Sequence, residues 1–157
     1  MKNYILFLTV VCTIFSCDKP EYGTADVETL SKKLFDTFRD NDMEKSALLL
    51  PDKGTYRKIE VENNHEYEDI TKAYDAFINT AENNFNTVKS KSDNWQNCKY
   101  ERSITTDSKL GKLAVSTVVV KFDNNGTPAK FEFTAIKFNN RWYYYGDAKW
   151  VEKTSVI

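Results

Sequence analysis

The sequence predicts a segregated α+β fold, with N-terminal helices packed on one face of a curved antiparallel β-sheet. Three observations carry this expectation. Apolar residues recur every three or four positions through the first half of the chain, as on one side of a helix. Beyond Asn97 the period drops to two, the spacing of a strand with one buried face. Hairpin signals then join the strands in sequence, so the helices precede an antiparallel meander rather than alternating with parallel strands.

Each element follows from local chemistry. Thr24 is a suitable N-cap for a helix whose apolar positions are Val27, Leu30, Leu34 and Phe38, with Asp26 and Glu28 favourably placed near its positive end. A second short helix carries Met43, Ala47, Leu48 and Leu50 and stops at Pro51, and Asp52, Lys53 and Gly54 make a turn. Tyr56 to Asn64 is weakly periodic and fits a short helix or a loop. From about Glu68 the stripe Ile70, Tyr74, Phe77, Ile78, Ala81, Phe85 and Val88 predicts the longest helix. Ser90 to Asn97 crosses to the sheet. The first strand places Cys98, Tyr100, Arg102 and Ile104 on one side, and Asp107–Ser108 turns it into a strand over Leu113 to Phe122. Asp123-Asn124-Asn125-Gly126 is a hairpin signal because Asn and Gly tolerate positive φ. Phe131, Phe133 and Ala135 then alternate with polar neighbours. Asn139–Asn140 turns the chain into Arg141 to Tyr145, and a last strand holds Trp150 and Val151.

The composition limits the possible functions. The 157 residues hold 22 Lys plus Arg against 23 Asp plus Glu, so a formal charge of -1 gives no broad positive field to gather nucleic acid. Hydrophobic residues at 41% and aromatics at 14% describe a chain that folds.

The N-terminus has the plan of a signal peptide. Lys2 precedes an apolar run from Tyr4 to Phe15, shorter than the roughly 20 residues of a membrane-spanning helix. The run closes on Ile14-Phe15-Ser16-Cys17, which resembles the lipobox of bacterial lipoproteins, although Phe15 is bulkier than the usual residue there. The resemblance implies a leader at 1–16, lipid on Cys17, a tether over 17–24 and one domain over 25–157. It also implies a cell-envelope location on a periplasmic or surface-facing side. With Cys12 in the leader and Cys17 acylated, Cys98 is left alone in the domain, where burial is the ordinary fate of an unpaired thiol.

The order of elements, the acidic break Phe38-Arg39-Asp40-Asn41-Asp42 and the aromatic hairpin Asn140-Arg141-Trp142-Tyr143 are similar to the nuclear transport factor 2-like superfamily over roughly Asp26 to Glu152. The resemblance implies a sheet curled into a cone with a pocket at its mouth. Tyr74, Phe77, Trp95, Phe131, Phe133, Trp142 and Tyr144 are the candidate lining, although filling the core is the commoner role for any one of them. Arg102 and Lys121 fall on strand faces that are otherwise apolar, where a charge must pair, snorkel or meet a ligand. Tyr143 and Tyr145 point the other way, which predicts an aromatic patch on the outer sheet face suited to self-association.

Catalytic constellations are weak. Superfamily enzymes such as ketosteroid isomerase and scytalone dehydratase use an Asp base with Tyr donors, or His with Asp, and no acidic residue here matches those places. His65 is the sole histidine, set among Glu60, Glu62, Glu66, Glu68 and Asp69 in a stretch that reads as a solvated loop rather than a metal site. No glycine-rich phosphate loop and no triad spacing is present, so neither a cofactor nor a metal is expected. The sequence therefore points to a tethered, non-enzymatic domain binding a small apolar ligand or a protein. A small isomerase or hydrolase, or an inhibitor or immunity factor, is the alternative.

Overall fold

Asp26, rather than Thr24, opens the first helix. Its carboxylate accepts the backbone N–H and the hydroxyl of Thr29 at 2.7 and 2.8 Å, and α1 runs Val27–Asp40. Thr24 is drawn away because its backbone exchanges hydrogen bonds with Trp142, 2.8 Å in each direction. The computed structural model describes residues 21–151; the leader and Cys17 lie outside the described residues. Among the described residues, no helix is long and apolar enough to cross a membrane.

Helix α2 is short, Met43–Ala47, and α3 spans Lys53–Glu62. The turn expected at Asp52–Gly54 is the start of α3, where Asp52 accepts the Thr55 N–H at 2.7 Å and so turns a loop-forming sequence into a capped helix. Helix α4, Ile70–Lys89, follows the predicted stripe, with Asp69 accepting from the N–H groups of Thr71 and Lys72. Trp95–Asn97 forms a 3₁₀ turn, and Trp95 Nε1 donates to Lys89 O at 2.7 Å.

Five antiparallel strands follow: β1 Lys99–Leu110, β2 Leu113–Asn124, β3 Thr127–Phe138, β4 Arg141–Tyr144 and β5 Lys149–Trp150. The order is β1-β2-β3-β4, with β5 pairing the same side of β3 further along, and the sheet remains open. The architecture is α+β and compatible with the cone that the sequence implies. Asn125 and Gly126 take φ of 53° and 83° in the turn expected there. The β1–β2 turn lies at Gly111–Lys112 instead of Asp107–Ser108, because Asp107 stays in the ladder opposite Ser116 and accepts its hydroxyl at 2.5 Å.

A β-bulge at Glu101 changes the phase of β1, since Tyr100 pairs Phe122 while Arg102 pairs Lys121. Cys98 and Tyr100 share the inner face as expected, but Arg102 and Ile104 pass to the outer one. The bulge also aims Tyr100 and Ser103 at α1, where their hydroxyls donate to the two carboxylate oxygens of Glu28 at 2.6 and 2.5 Å.

The main core lies between the inner sheet face and helices α1 and α4. Phe38 sits at its centre, stacked on Phe85 and Trp95 with centroids 4.4 and 5.2 Å away and edge-on to Phe131 at 5.1 Å. A second cluster lies on the outer face, where Ile59 of α3 covers Leu113, Ile136, Phe138 and Tyr143. Tyr143 is therefore buried and Tyr145 partly so, against the expectation of an exposed aromatic patch. The outer face is apolar at this end because a helix sits on it.

Candidate functional site

The predicted lining does not form one site. Trp95, Phe131, Phe133 and Tyr144 all belong to the main core, with Phe131 at 0% and Tyr144 at 2% exposure. Between α2, α4 and Tyr144 a cavity of only 30 Å³ remains, the volume of about one water molecule. The Tyr144 hydroxyl is buried without a hydrogen-bond partner among the described residues. Tyr74 and Phe77 stack against Tyr56 of α3 with centroids 5.5 and 4.8 Å away, Phe77 also packing on the rim of the main core, and the Tyr74 hydroxyl donates to Pro51 O. Trp142 is held at the β4 edge beneath Lys137, whose Nζ lies 5.9 Å from its ring centroid. Arg102 is exposed on the opposite side of the sheet.

Glu60 was assigned by its sequence to a solvated acidic stretch, yet it is 5% exposed and is the one buried carboxylate among the described residues. Its place on α3 explains this, because the side of the helix that buries Ile59 also turns Glu60 toward Tyr145. One carboxylate oxygen accepts the Tyr145 hydroxyl; the other accepts Tyr67 Oη and His65 Nδ1, both at 3.1 Å. Burial and the Glu60 charge both push the Tyr145 hydroxyl far above the ordinary tyrosine range. Accepting through Glu60 fixes the His65 proton on Nδ1 and leaves Nε2 as the unengaged ring nitrogen, on a side chain 59% exposed. A cleft of about 400 Å³ beside this group is lined by Arg57, His65, Tyr67 and Glu68. Among the described residues, no group of three or more His, Cys, Asp or Glu is arranged to hold a metal.

A further cleft is on the surface. It measures about 490 Å³ and is lined by Glu101, Lys121, Asn124, Lys130 and Trp150, with Pro128 and Ala129 adding apolar wall. The Glu101 bulge, the turn of the β2–β3 hairpin and the end of β5 meet here. No protein family model, curated protein or solved structure matches the chain. Function must therefore be argued from these clefts.

Chemically, the two sites differ. Both Glu60 oxygens are occupied, and no Ser, Thr or Cys of the described residues hydrogen-bonds to His65, so the cluster has an oriented imidazole but no nucleophile beside it. The surface cleft combines the Lys121 and Lys130 cations with the Asn124 amide and the apolar Pro128 and Ala129, a set suited to holding a ligand. Sequence periodicity missed both sites. Glu60 falls in a weakly periodic stretch, and the cleft depends on a one-residue bulge.

Proposed function

We propose that the protein is a lipid-tethered, non-enzymatic recognition domain of the cell envelope that holds its partner or ligand on surface clefts rather than inside its cone. The observation that carries this reading is the filled interior: where a ligand-binding cone would be hollow, Phe38, Phe85, Phe131 and Tyr144 pack into one core, each at 0 to 2% exposure. A drug-sized ligand occupies a pocket of about 300 to 1,000 Å³, which the surface cleft matches and the interior does not. The lipobox-like Ile14-Phe15-Ser16-Cys17 supports the tether.

The second reading, a small enzyme, is supported by the oriented Glu60–His65 pair alone. Native mass spectrometry of protein extracted from membranes tests the proposal. A co-purifying ligand that is lost when cleft residues are changed supports surface recognition. A ligand retained in those variants but expelled by filling the void with Ala81→Leu refutes it. Cys17→Ser should release the protein from the membrane fraction and abolish acyl labelling; labelling that persists would remove the tether.

A further inference from the structure

The chain enters the domain along the free edge of β4, and apolar groups there are incompletely covered. Gly23 donates to Leu48 O at 2.8 Å, and Thr24 exchanges backbone hydrogen bonds with Trp142. Leu48 and Trp142 therefore border the entry point together. Leu48 is 37% exposed, and Trp142 is only partly buried.

The charges beside them leave two lysines uncommitted. A cleft of about 430 Å³ at the entry point is lined by Glu21, Lys33, Asp36, Asp40, Lys45 and Leu48, among others. Each of these acids has a basic partner: Asp36 pairs with Lys32 and Arg39 at 2.9 and 3.0 Å, Asp40 with Arg39 at 3.0 Å, and Glu21 with Arg141. Lys45 is held by Asp42 at 2.8 Å. Among the described residues, Lys33 has no carboxylate within ion-pair distance, and neither has Lys137, whose Nζ lies over the Trp142 ring. An indole, an exposed aliphatic side chain and free lysines suit the boundary between water and lipid. The indole sits at headgroup level, and the long lysine stems let their ammonium groups reach phosphates.

The position of this edge says what covers it. Glu21 follows the lipobox-like Cys17 by four positions, so on the proposed tether the edge stays beside the bilayer. We propose that it is a membrane-contact surface, docked on the headgroups of that bilayer. Leu48 and the open part of Trp142 enter the interfacial layer, and Lys33 and Lys137 meet the phosphates of anionic lipids. The proposal rests on the tether and adds a second contact to it, so that the domain is held in one orientation instead of swinging on its anchor.

The test uses the acylated protein in vesicles of phosphatidylcholine and phosphatidylglycerol, compared with the soluble Cys17→Ser form. A polarity-sensitive thiol fluorophore is attached through Leu48→Cys or, as a control on β1, through Ile104→Cys; both positions are exposed, whereas Cys98 is 3% exposed. Emission from position 48 should shift to the blue in vesicles, and emission from position 104 should not. Brominated acyl chains should quench the native tryptophan fluorescence, and Trp142→Phe should remove most of that quenching. Lys33→Gln and Lys137→Gln should each lower the docked-to-undocked ratio roughly fivefold, and added salt should act in the same direction. No shift at position 48, equal shifts at 48 and 104, or quenching that survives Trp142→Phe would overturn the proposal. If the protein still sediments with the vesicles and carries acyl chains after such a failure, the tether stands and only the docking is lost. A mature protein without acyl chains would remove both.

Discussion

Replacing Glu60 with Ala tests the claim that a buried carboxylate fastens α3 to the end of the sheet. The side chain takes three hydrogen bonds, from Tyr145, Tyr67 and His65. Removing it leaves donors that are not equivalent. Tyr67 is 46% exposed and His65 more so, and both regain water. Tyr145 is packed between Tyr56 and Phe77 and is left with an unsatisfied hydroxyl, at a cost of about 1–3 kcal/mol. Adding the lost charge-assisted bonds, and subtracting the relief of no longer burying a charge, gives a net loss of about 3 kcal/mol. For a chain of this size that is a fall of roughly 10 °C in melting temperature. Urea titration followed by tryptophan fluorescence should show a lower midpoint at an unchanged slope. Tyr145→Phe should cost about 1 kcal/mol alone and almost nothing on top of Glu60→Ala, because the orphaned hydroxyl goes with it. A loss below about 1 kcal/mol for Glu60→Ala, with the two substitutions additive, would refute the reasoning.

Alkaline titration should destabilise the fold. Burial and the Glu28 carboxylate push Tyr100 up to about 12 from 10.0, and burial raises Tyr56, Tyr144 and Tyr145 further. The native state thus keeps protons that the unfolded chain releases above pH 10.0, so stability is complete below that pH and falls as pH rises through 12. Phenolate absorbance that rises fully at pH 10 without loss of structure would contradict this. Gly23→Ala should cost at least about 2 kcal/mol, since φ is +68° and the new Cβ would lie 2.7 Å from Trp142 O and from the Tyr143 ring; unchanged urea stability would refute that. Cys98, 3% exposed with a thiol pushed up by burial, should resist a thiol reagent until denaturant unfolds the chain, and rapid labelling in native buffer would show that it is accessible.

Periodicity made the helices and strands readable wherever one face meets the core, as in Leu30, Leu34 and Phe38 or in Phe131, Phe133 and Ala135. It failed where tertiary contacts reassign a local preference. Asp52 and Gly54 look like a turn, yet Asp52 caps α3, and Asp107–Ser108 looks like a turn, yet Ser116 holds Asp107 in the ladder. The bulge is invisible to a two-residue period because one extra residue, Glu101, exchanges the faces of everything after it. Arg102 and Lys121 were recognisable as charges needing a partner, but not that they stand beside each other and Lys130. The aromatic set was correctly read as inward-facing for Phe131, Phe133 and Tyr144. Whether such residues line a hollow or fill it depends on how closely the helices approach, which no spacing in the sequence records.

The segment expected to be free tether is docked before the domain was expected to begin. Gly23 donates to Leu48 O at 2.8 Å, Thr24 pairs with Trp142, and Arg141 holds the Tyr22 and Gly23 carbonyls together with the Glu21 carboxylate. With acyl chains on Cys17, only Asp18, Lys19 and Pro20 separate the lipid from this moored stretch. Four chain steps reach at most about 14 Å. On the proposed tether, the β4 margin would lie close to the headgroups, while β1, three strands across at about 5 Å each, would stand at the far margin of the sheet. A visitor from the aqueous side would then meet the far margin first.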